Sequence, residues 1–245
     1  CIVLAAGAGR RMGHDENKIF IKLGNKSIIQ WTLSHIEQVK AVSEVILVVA
    51  DGEAAYMKQH IASLGLSKSI KIITGGKERQ DSVYAGLQAV SDDMDIVLVH
   101  DGARPLAKPE LFKSVIEGAK THGAVTIGVP STDTIKRVDI DGQVLETLNR
   151  NELMNIQTPQ GFLKNIFKEA QETAKRDAYL GTDDVSLVEY IGKDVYILEG
   201  DYENIKVTTP NDIAVAKRYL GIKEQQMRVG FGYDIHRLKE GRPCI

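Results

Sequence analysis

Short apolar runs rich in Val and Ile alternate along the chain with stretches whose apolar residues recur at helical spacing. The runs predict strands at 2–5, 44–50, 70–74, 96–100 and 124–129, and the periodic stretches predict helices at 27–39, 53–64, 80–90 and 110–121. Strands of this length that read apolar throughout are buried on both faces, which is the condition of a parallel sheet covered by helices. The alternation therefore reads as βαβ units joined by right-handed crossovers. The fold class is α/β, with a Rossmann-like, mostly parallel sheet and helices on both faces.

The rhythm breaks at Ser131. Residues 134–140 and 143–148 alternate apolar and polar side chains around Asp141-Gly142, a hairpin-turn pair. Such a ribbon has too little apolar surface to stand alone in water, so it rests either on a partner subunit or back on its own sheet. Beyond it a helix is predicted at 163–175, a short helix from Asp183 capped by Thr182, strands at 195–198 and 205–207, and a helix at 211–220 introduced by Pro210. Residues 221–226 read as a polar linker, and Met227 opens a new strand-like run to Asp234. Both ends look cut, since Cys1 lies directly before an apolar run and the chain stops just after Pro243-Cys244.

Charge narrows the function. The 31 Lys and Arg face 33 Asp and Glu for a net charge of −2, which excludes a general polyanion binder and argues against nucleic acid as a partner. Phosphate recognition would have to come from a few placed cations. No apolar run nears the roughly 20 residues of a membrane span, and nothing at the start resembles a signal peptide, so a cytoplasmic location is expected. Cys1 and Cys244 imply no disulfide framework.

The candidate chemistry lies where predicted strands end. Leu4-Ala5-Ala6-Gly7-Ala8-Gly9-Arg10-Arg11-Met12 is a glycine-rich turn that lets backbone N–H groups approach a phosphate. It is not a dinucleotide fingerprint, because Met12 stands where the third glycine would be, and Gly24-Asn25-Lys26-Ser27 lacks the adjacent Gly-Lys pair of a Walker A loop. Instead it carries cations, Arg10 and Arg11, with Lys18 seven residues beyond Arg11. Fixed guanidinium and ammonium groups can hold a triphosphate without reorganisation; the alternative is a surface turn with solvated charges. The strand before Asp101 delivers a carboxylate suited to Mg²⁺, unless Asp101 only caps a turn and pairs with Arg104. Gly76 and Ser82 sit in a strand-to-helix turn able to read a nucleobase, and Glu203 and Lys206 flank the start of a late strand.

Set in order, these segments resemble the 2-C-methyl-D-erythritol 4-phosphate cytidylyltransferase family. The match includes the Leu4-Ala5-Ala6-Gly7-x-Gly9-x-Arg11-Met12 turn, Lys18, Gly76-x-x-Arg79-x-x-Ser82-Val83, His100-Asp101-Gly102-Ala103-Arg104-Pro105, Asp133-Thr134-x-Lys136, Asn149-Arg150, Thr158-Pro159-Gln160, Thr182-Asp183 and Asn204-Ile205-Lys206-Val207-Thr208. The resemblance implies transfer of a cytidylyl group from CTP to a polyol phosphate with release of pyrophosphate. It assigns Arg11, Lys18 and Lys206 to the phosphates and Asp101 to Mg²⁺. Ala5, Ala6, Gly7, Gly9, Gly76, Ser82 and Gly102 would surround the nucleotide. Arg104 and Thr182 would approach the acceptor, and Thr134 and Arg150 would reach the acceptor of a neighbouring subunit in a homodimer formed through the arm at about 131–150. Lys77 and Glu203 depart from acidic and aspartate residues common in relatives.

The run from Met227 to Arg237 resembles the opening of the 2-C-methyl-D-erythritol 2,4-cyclodiphosphate synthase family, whose Asp-x-His pair ligates zinc. The resemblance thus divides the chain into a cytidylyltransferase unit at 1–221, a linker at 222–226 and a truncated second unit at 227–245. Asp234 and His236 are that unit's candidate ligands, and two side chains do not complete a Zn²⁺ site. Two other readings compete: ribitol 5-phosphate as acceptor, and a nucleotide-binding module without chemistry. Arg11, Lys18, Asp101 and Lys206 together argue against the module, since a pure binder has no need to grip a leaving pyrophosphate.

Overall fold

The computed structural model describes residues 1–7 and 17–222 of the chain. Its first half follows the predicted alternation: β1 (Ile2–Leu4), β2 (Lys22–Leu23), β3 (Lys26–Ser27), α1 (Ile28–Glu37), β4 (Glu44–Val49), α2 (Ala54–Ile61), β5 (Ser69–Thr74), α3 (Arg79–Gln88), β6 (Ile96–Asp101), α4 (Pro109–His122) and β7 (Ala124–Pro130). The second half adds β8 (Lys136–Val138), β9 (Val144–Thr147), β10 (Met154–Leu163), α5 (Lys164–Arg176), α6 (Val185–Tyr190), β11 (Tyr196–Glu199) and α7 (Pro210–Tyr219).

Seven strands form one sheet in the order β11-β7-β10-β6-β1-β4-β5. β1 pairs parallel with β4 and β6, β4 with β5, and β11 with β7, whereas β10 is antiparallel to both its neighbours. Alternation along β4 shows how the sheet is covered on both faces. Val45, Leu47 and Val49 join the core under α1, α2 and α4, while Ile46 and Val48 join the core under α3, α5 and α6. A third cluster of Leu23, Ile28, Leu106, Val207 and Ala216 ties α7 and the residues before it to the region beyond β6. Local signals fix the helix starts. Ser27 and Gln30 exchange bonds in a capping box before α1, and Thr209 and Asp212 do so around Pro210 at α7.

β10 has no counterpart in the predicted elements. Its Gln157-Thr158-Pro159-Gln160-Gly161 breaks the apolar pattern, yet the strand lies in the middle of the sheet. Buried polar groups compensate: the Gln157, Thr158 and Gln160 side chains all have hydrogen-bond partners. The ladder to β7 jumps from Gln157 to Gly161, around a cis Thr158–Pro159 peptide, so proline sits where a regular bond is missing. Gly161 is required by close approach, because a Cβ there would meet Val115 Cγ1 of α4 at 2.4 Å.

Two other expectations are corrected. Residues 205–207 form no strand; the Val207 N–H bonds the Ala103 carbonyl instead of a ladder. α6 starts at Val185 rather than Asp183, and Thr182 does not cap it. The Gln160 Oε1 of β10 accepts from the Asp184 and Val185 N–H groups, each at 3.2 Å, doing from across the fold what a local cap would do. The hairpin does not fold back on the main sheet: β8 and β9 pair only with each other, and Val138, Ile140, Val144 and Leu145 are exposed. Its turn is as expected, with Gly142 at φ +85° and Asp139 Oδ1 accepting from the Asp141 and Gln143 N–H groups. The linker from residue 223 and the run from Met227 lie outside the described residues. Among the described residues, no helix is long and apolar enough to cross a membrane.

Phe162 anchors β10: it is fully buried and stacked on Phe167 with ring centroids 4.1 Å apart. Phe162→Ala is expected to lower stability by about 3–5 kcal/mol, read as a shift of the denaturant midpoint without change of slope.

Candidate active site

β1 and β6 lie side by side with Leu4 opposite Asp101, so the chain leaving β1 and the acid ending β6 emerge at one edge. Gly102 fastens that junction by donating its N–H to the Leu4 carbonyl at 2.9 Å. A Cβ on Gly102 would lie 2.8 Å from that carbonyl oxygen, so only glycine allows the two backbones to close. Next to this edge β5 ends at Gly75 and Gly76, where the Ser82 hydroxyl accepts from the Gly76 N–H and donates to the Glu78 carbonyl, both at 3.1 Å. The hydroxyl thereby shapes the turn, and only its acceptor capacity remains for a ligand.

These strand ends open into one cavity of about 730 Å³. Ala5, Ala6, Gly7, Lys18, Gly76, Ser82, Asp101 and Lys206 line it together, although they come from five separate stretches of sequence. Lys18 is placed by a residue the sequence reading passes over. Asn17 caps the 3-10 turn Lys18–Phe20, and its Nδ2 donates to the Ala5 carbonyl at 2.8 Å and to Glu53 Oε2 at 3.1 Å. An Asn directly before an expected functional lysine is the signal that could have revealed it.

Asp101 is the electrostatic centre. Its Oδ2 lies 3.2 Å from Arg104 Nε and 3.1 Å from Lys206 Nζ. Burial alone would raise its pKa, but Lys206, then Arg104 and Arg79, outweigh burial and hold the carboxyl well below the usual aspartate range. Neighbouring His100 goes the other way: burial lowers its pKa to about 3, so it is neutral. Among the described residues that line the cavity, Lys18, Lys77, Arg79 and Lys206 outnumber Glu78 and Asp101, a formal excess of two positive charges suited to an anion. Arg79 is itself held by a 2.6 Å ion pair to the buried Asp184.

The other expected residues divide into those nearby and those apart. Arg104 is buried, with Nη1 bonded to the Asn204 carbonyl at 2.7 Å, so it orients Asp101 rather than presenting itself to solvent. Thr182 lines an adjoining cavity of about 110 Å³ that shares Glu78 and Arg79 with the main one. Thr134 and Arg150 lie on the exposed arm, away from the cavity lining, where Arg150 Nη1 donates to the Thr132 carbonyl. Glu203 pairs with Lys108 at 2.8 Å and does not line the cavity. Gly9, Arg11, Asp234 and His236 lie outside the described residues.

Residues 1–222 match the model of the family described as IspD, 2-C-methyl-D-erythritol 4-phosphate cytidylyltransferase. The chain belongs to this family. A 2-C-methyl-D-erythritol 4-phosphate cytidylyltransferase of Bacillus cereus is 43% identical over 224 residues, covering 91% of this chain and 98% of that relative. Among solved structures, the 4-diphosphocytidyl-2C-methyl-D-erythritol synthase of Anaerococcus prevotii is similar with a TM-score of 0.81 at 33% identity, over 90% of this chain and 96% of that one. The bifunctional IspDF of Campylobacter jejuni is similar with a TM-score of 0.72 at 26% identity, over 87% of this chain and 53% of that one. The cytidylyltransferase family match therefore includes every cavity-lining residue described above.

Asp101→Asn tests the electrostatic centre. Removing the shared negative charge from buried Arg104 is expected to cost about 3–5 kcal/mol at neutral pH. A carboxyl with a depressed folded pKa stabilises above its unfolded value and loses that contribution as pH falls. The gap between wild type and variant should accordingly narrow below about pH 4 in denaturant unfolding measured across pH.

Proposed function

We propose that this chain transfers the cytidylyl group of CTP to 2-C-methyl-D-erythritol 4-phosphate, releasing pyrophosphate, in isoprenoid precursor synthesis by the non-mevalonate route. The observation that carries the reading is the cavity at the ends of β1, β5 and β6, which Lys18, Asp101 and Lys206 line together in a chain of this family. A phosphate monoester is already an anion, so no general base is needed. An acceptor phosphate oxygen forms a bond to the α-phosphorus of CTP, the bond from that phosphorus to the α–β bridging oxygen breaks, and its electrons leave with pyrophosphate. Catalysis then reduces to alignment and neutralisation of growing charge.

Lys18 and Lys206, with Arg11, grip the phosphates and stabilise the leaving group. Ala5, Ala6, Gly7, Gly9, Gly76 and Ser82 enclose the cytosine end, with Gly102 behind the ribose. The acceptor lies toward Thr182, and Thr134 and Arg150 reach it from the arm of a second subunit, which accounts for an exposed apolar hairpin and makes the homodimer the working unit. Asp101 suits Mg²⁺, which takes one or two carboxylates and completes its shell with phosphate oxygens and water. Among the described residues no group of three acidic, His or Cys side chains could hold a metal, so such an ion would arrive shared with the triphosphate. Bound there, Mg²⁺ supplies charge neutralisation at the phosphates.

The segment from Met227 reads as the start of a cyclodiphosphate synthase unit, in which Asp234 and His236 would serve a Zn²⁺ site completed by the remainder of that unit. Ribitol 5-phosphate would use the same nucleotide half of the site, but the names of the relatives favour methylerythritol phosphate.

Incubation with CTP and each acceptor, following pyrophosphate, should show turnover with methylerythritol phosphate; turnover with ribitol 5-phosphate alone overturns the assignment. Lys18→Ala and Lys206→Ala should each lower kcat by on the order of 10²-fold or more. Arg150→Ala should raise KM for the acceptor while calorimetric CTP affinity holds, and a loss of CTP affinity would refute the cross-subunit role.

A further inference from the structure

β10 touches the site from behind, through residues that do not line the cavity. The Thr158 hydroxyl accepts the Asp101 backbone N–H at 3.1 Å and lies 3.0 Å from His100 Nδ1. A hydroxyl donates one hydrogen bond and accepts two, so Thr158 ties the Asp101 N–H and the His100 ring to β10 whichever ring nitrogen carries the proton. The carbonyl of Thr158 accepts from Asn204 Nδ2 at 3.0 Å. The carbonyl of Asn204 accepts from Arg104 Nη1 at 2.7 Å, and Arg104 Nε returns to Asp101 Oδ2 at 3.2 Å. The loop of bonds is closed and every member is buried.

Gln157 adds a second grip one residue earlier. Its Nε2 donates to the Asp201 carbonyl at 2.8 Å, and its Oε1 accepts from the Asp201 N–H at 3.3 Å and from Asn204 Nδ2 at 3.2 Å. Lys206 lies two residues past Asn204 and half-exposed above Asp101, on a segment with no sheet ladder of its own. On one side of Lys206 this buried ring fixes its height over the carboxylate, and on the other the Val207 N–H bond to the Ala103 carbonyl does.

We propose that Thr158 and Asn204 are positioning residues, through which β10 sets the spacing of the Asp101 carboxylate and the Lys206 ammonium that turnover requires. The proposal rests on the cytidylyl-transfer reading above. It goes beyond that reading in assigning a kinetic role to side chains that cannot touch either substrate.

The test uses the whole chain. Thr158→Val keeps the shape of the side chain and removes the hydroxyl. At a temperature where both proteins are folded, kcat should fall by about tenfold or more, with KM for CTP changed less than about twofold, because sub-ångström misplacement acts on the transition state. Thr158→Ser should recover kcat to within about threefold of wild type, since it restores both hydrogen bonds. In a Lys206→Ala background, Thr158→Val should add less than about twofold, as the pair it positions is already gone. A Thr158→Val protein with a lowered melting temperature and unchanged kcat, or with a full independent loss in the Lys206→Ala background, overturns the proposal.

Should Thr158→Val fail to fold, the wild-type protein still decides. The Asp101 amide proton should exchange slowly because it is held by the Thr158 hydroxyl, and exchange as fast as that of an unprotected amide refutes the bridge. A wild-type chain inactive with every acceptor would sink the reaction assignment instead, while amide exchange at Asp101, read without substrate, continues to report on the bridge.

Discussion

One buried carboxylate governs this molecule. Taking the Asp101 side chain out of water is expensive, and the cost is met only because Arg104 and Lys206 converge on the same oxygen. Arg104 comes from the turn after β6, and Lys206 from a segment about a hundred residues later. Holding them together dictates much of the architecture: Gly102 must be bare to let β6 meet β1, α7 must pack against the β2–β3 corner, and β10 must run against its neighbours. The catalytic edge and the fold share one electrostatic solution.

That solution explains why the site needs no activated nucleophile. Its described lining combines small residues with Lys18, Lys77, Arg79 and Lys206. On the proposed reading, such an environment suits a reaction whose difficulty is accumulating negative charge. Neutral His100, sealed beside Phe112, is part of the scaffold for the carboxylate rather than a proton carrier.

The parallel strands are legible in the sequence because both of their faces are apolar, so composition and burial say the same thing. β4 is the clearest instance, with five hydrophobic residues after Glu44 that serve two opposite cores. Lys18, Asp101 and Lys206 are legible for a related reason, since each stands just beyond a strand or in a motif whose spacing is distinctive. β10 is not legible. Its polar centre is satisfied by partners far away in sequence, and no local pattern encodes a glutamine that caps a helix some two dozen residues on. The same holds for 205–207, whose apolar residues mimic a strand while serving a small satellite core. Thr182 fails as a cap because Gln160 takes its place. The arm is visible as a hairpin from its Asp-Gly turn, and its strands pair with each other rather than with the main sheet.

The central, reversed position of β10 also bears on how the chain is made. β6 and β7 are neighbours in sequence but are kept one strand apart in the sheet, so they leave a slot about 10 Å wide, two strand spacings, until residues 154–163 arrive. As the polypeptide emerges, β1, β4, β5 and β6 can assemble by themselves from the first hundred residues, whereas β7 and later β11 must wait for the missing rung. Assembly by long-range pairing is slow. The ribosome thus releases the half that carries Asp101 first, and Lys206 follows only after the strand whose insertion closes the sheet.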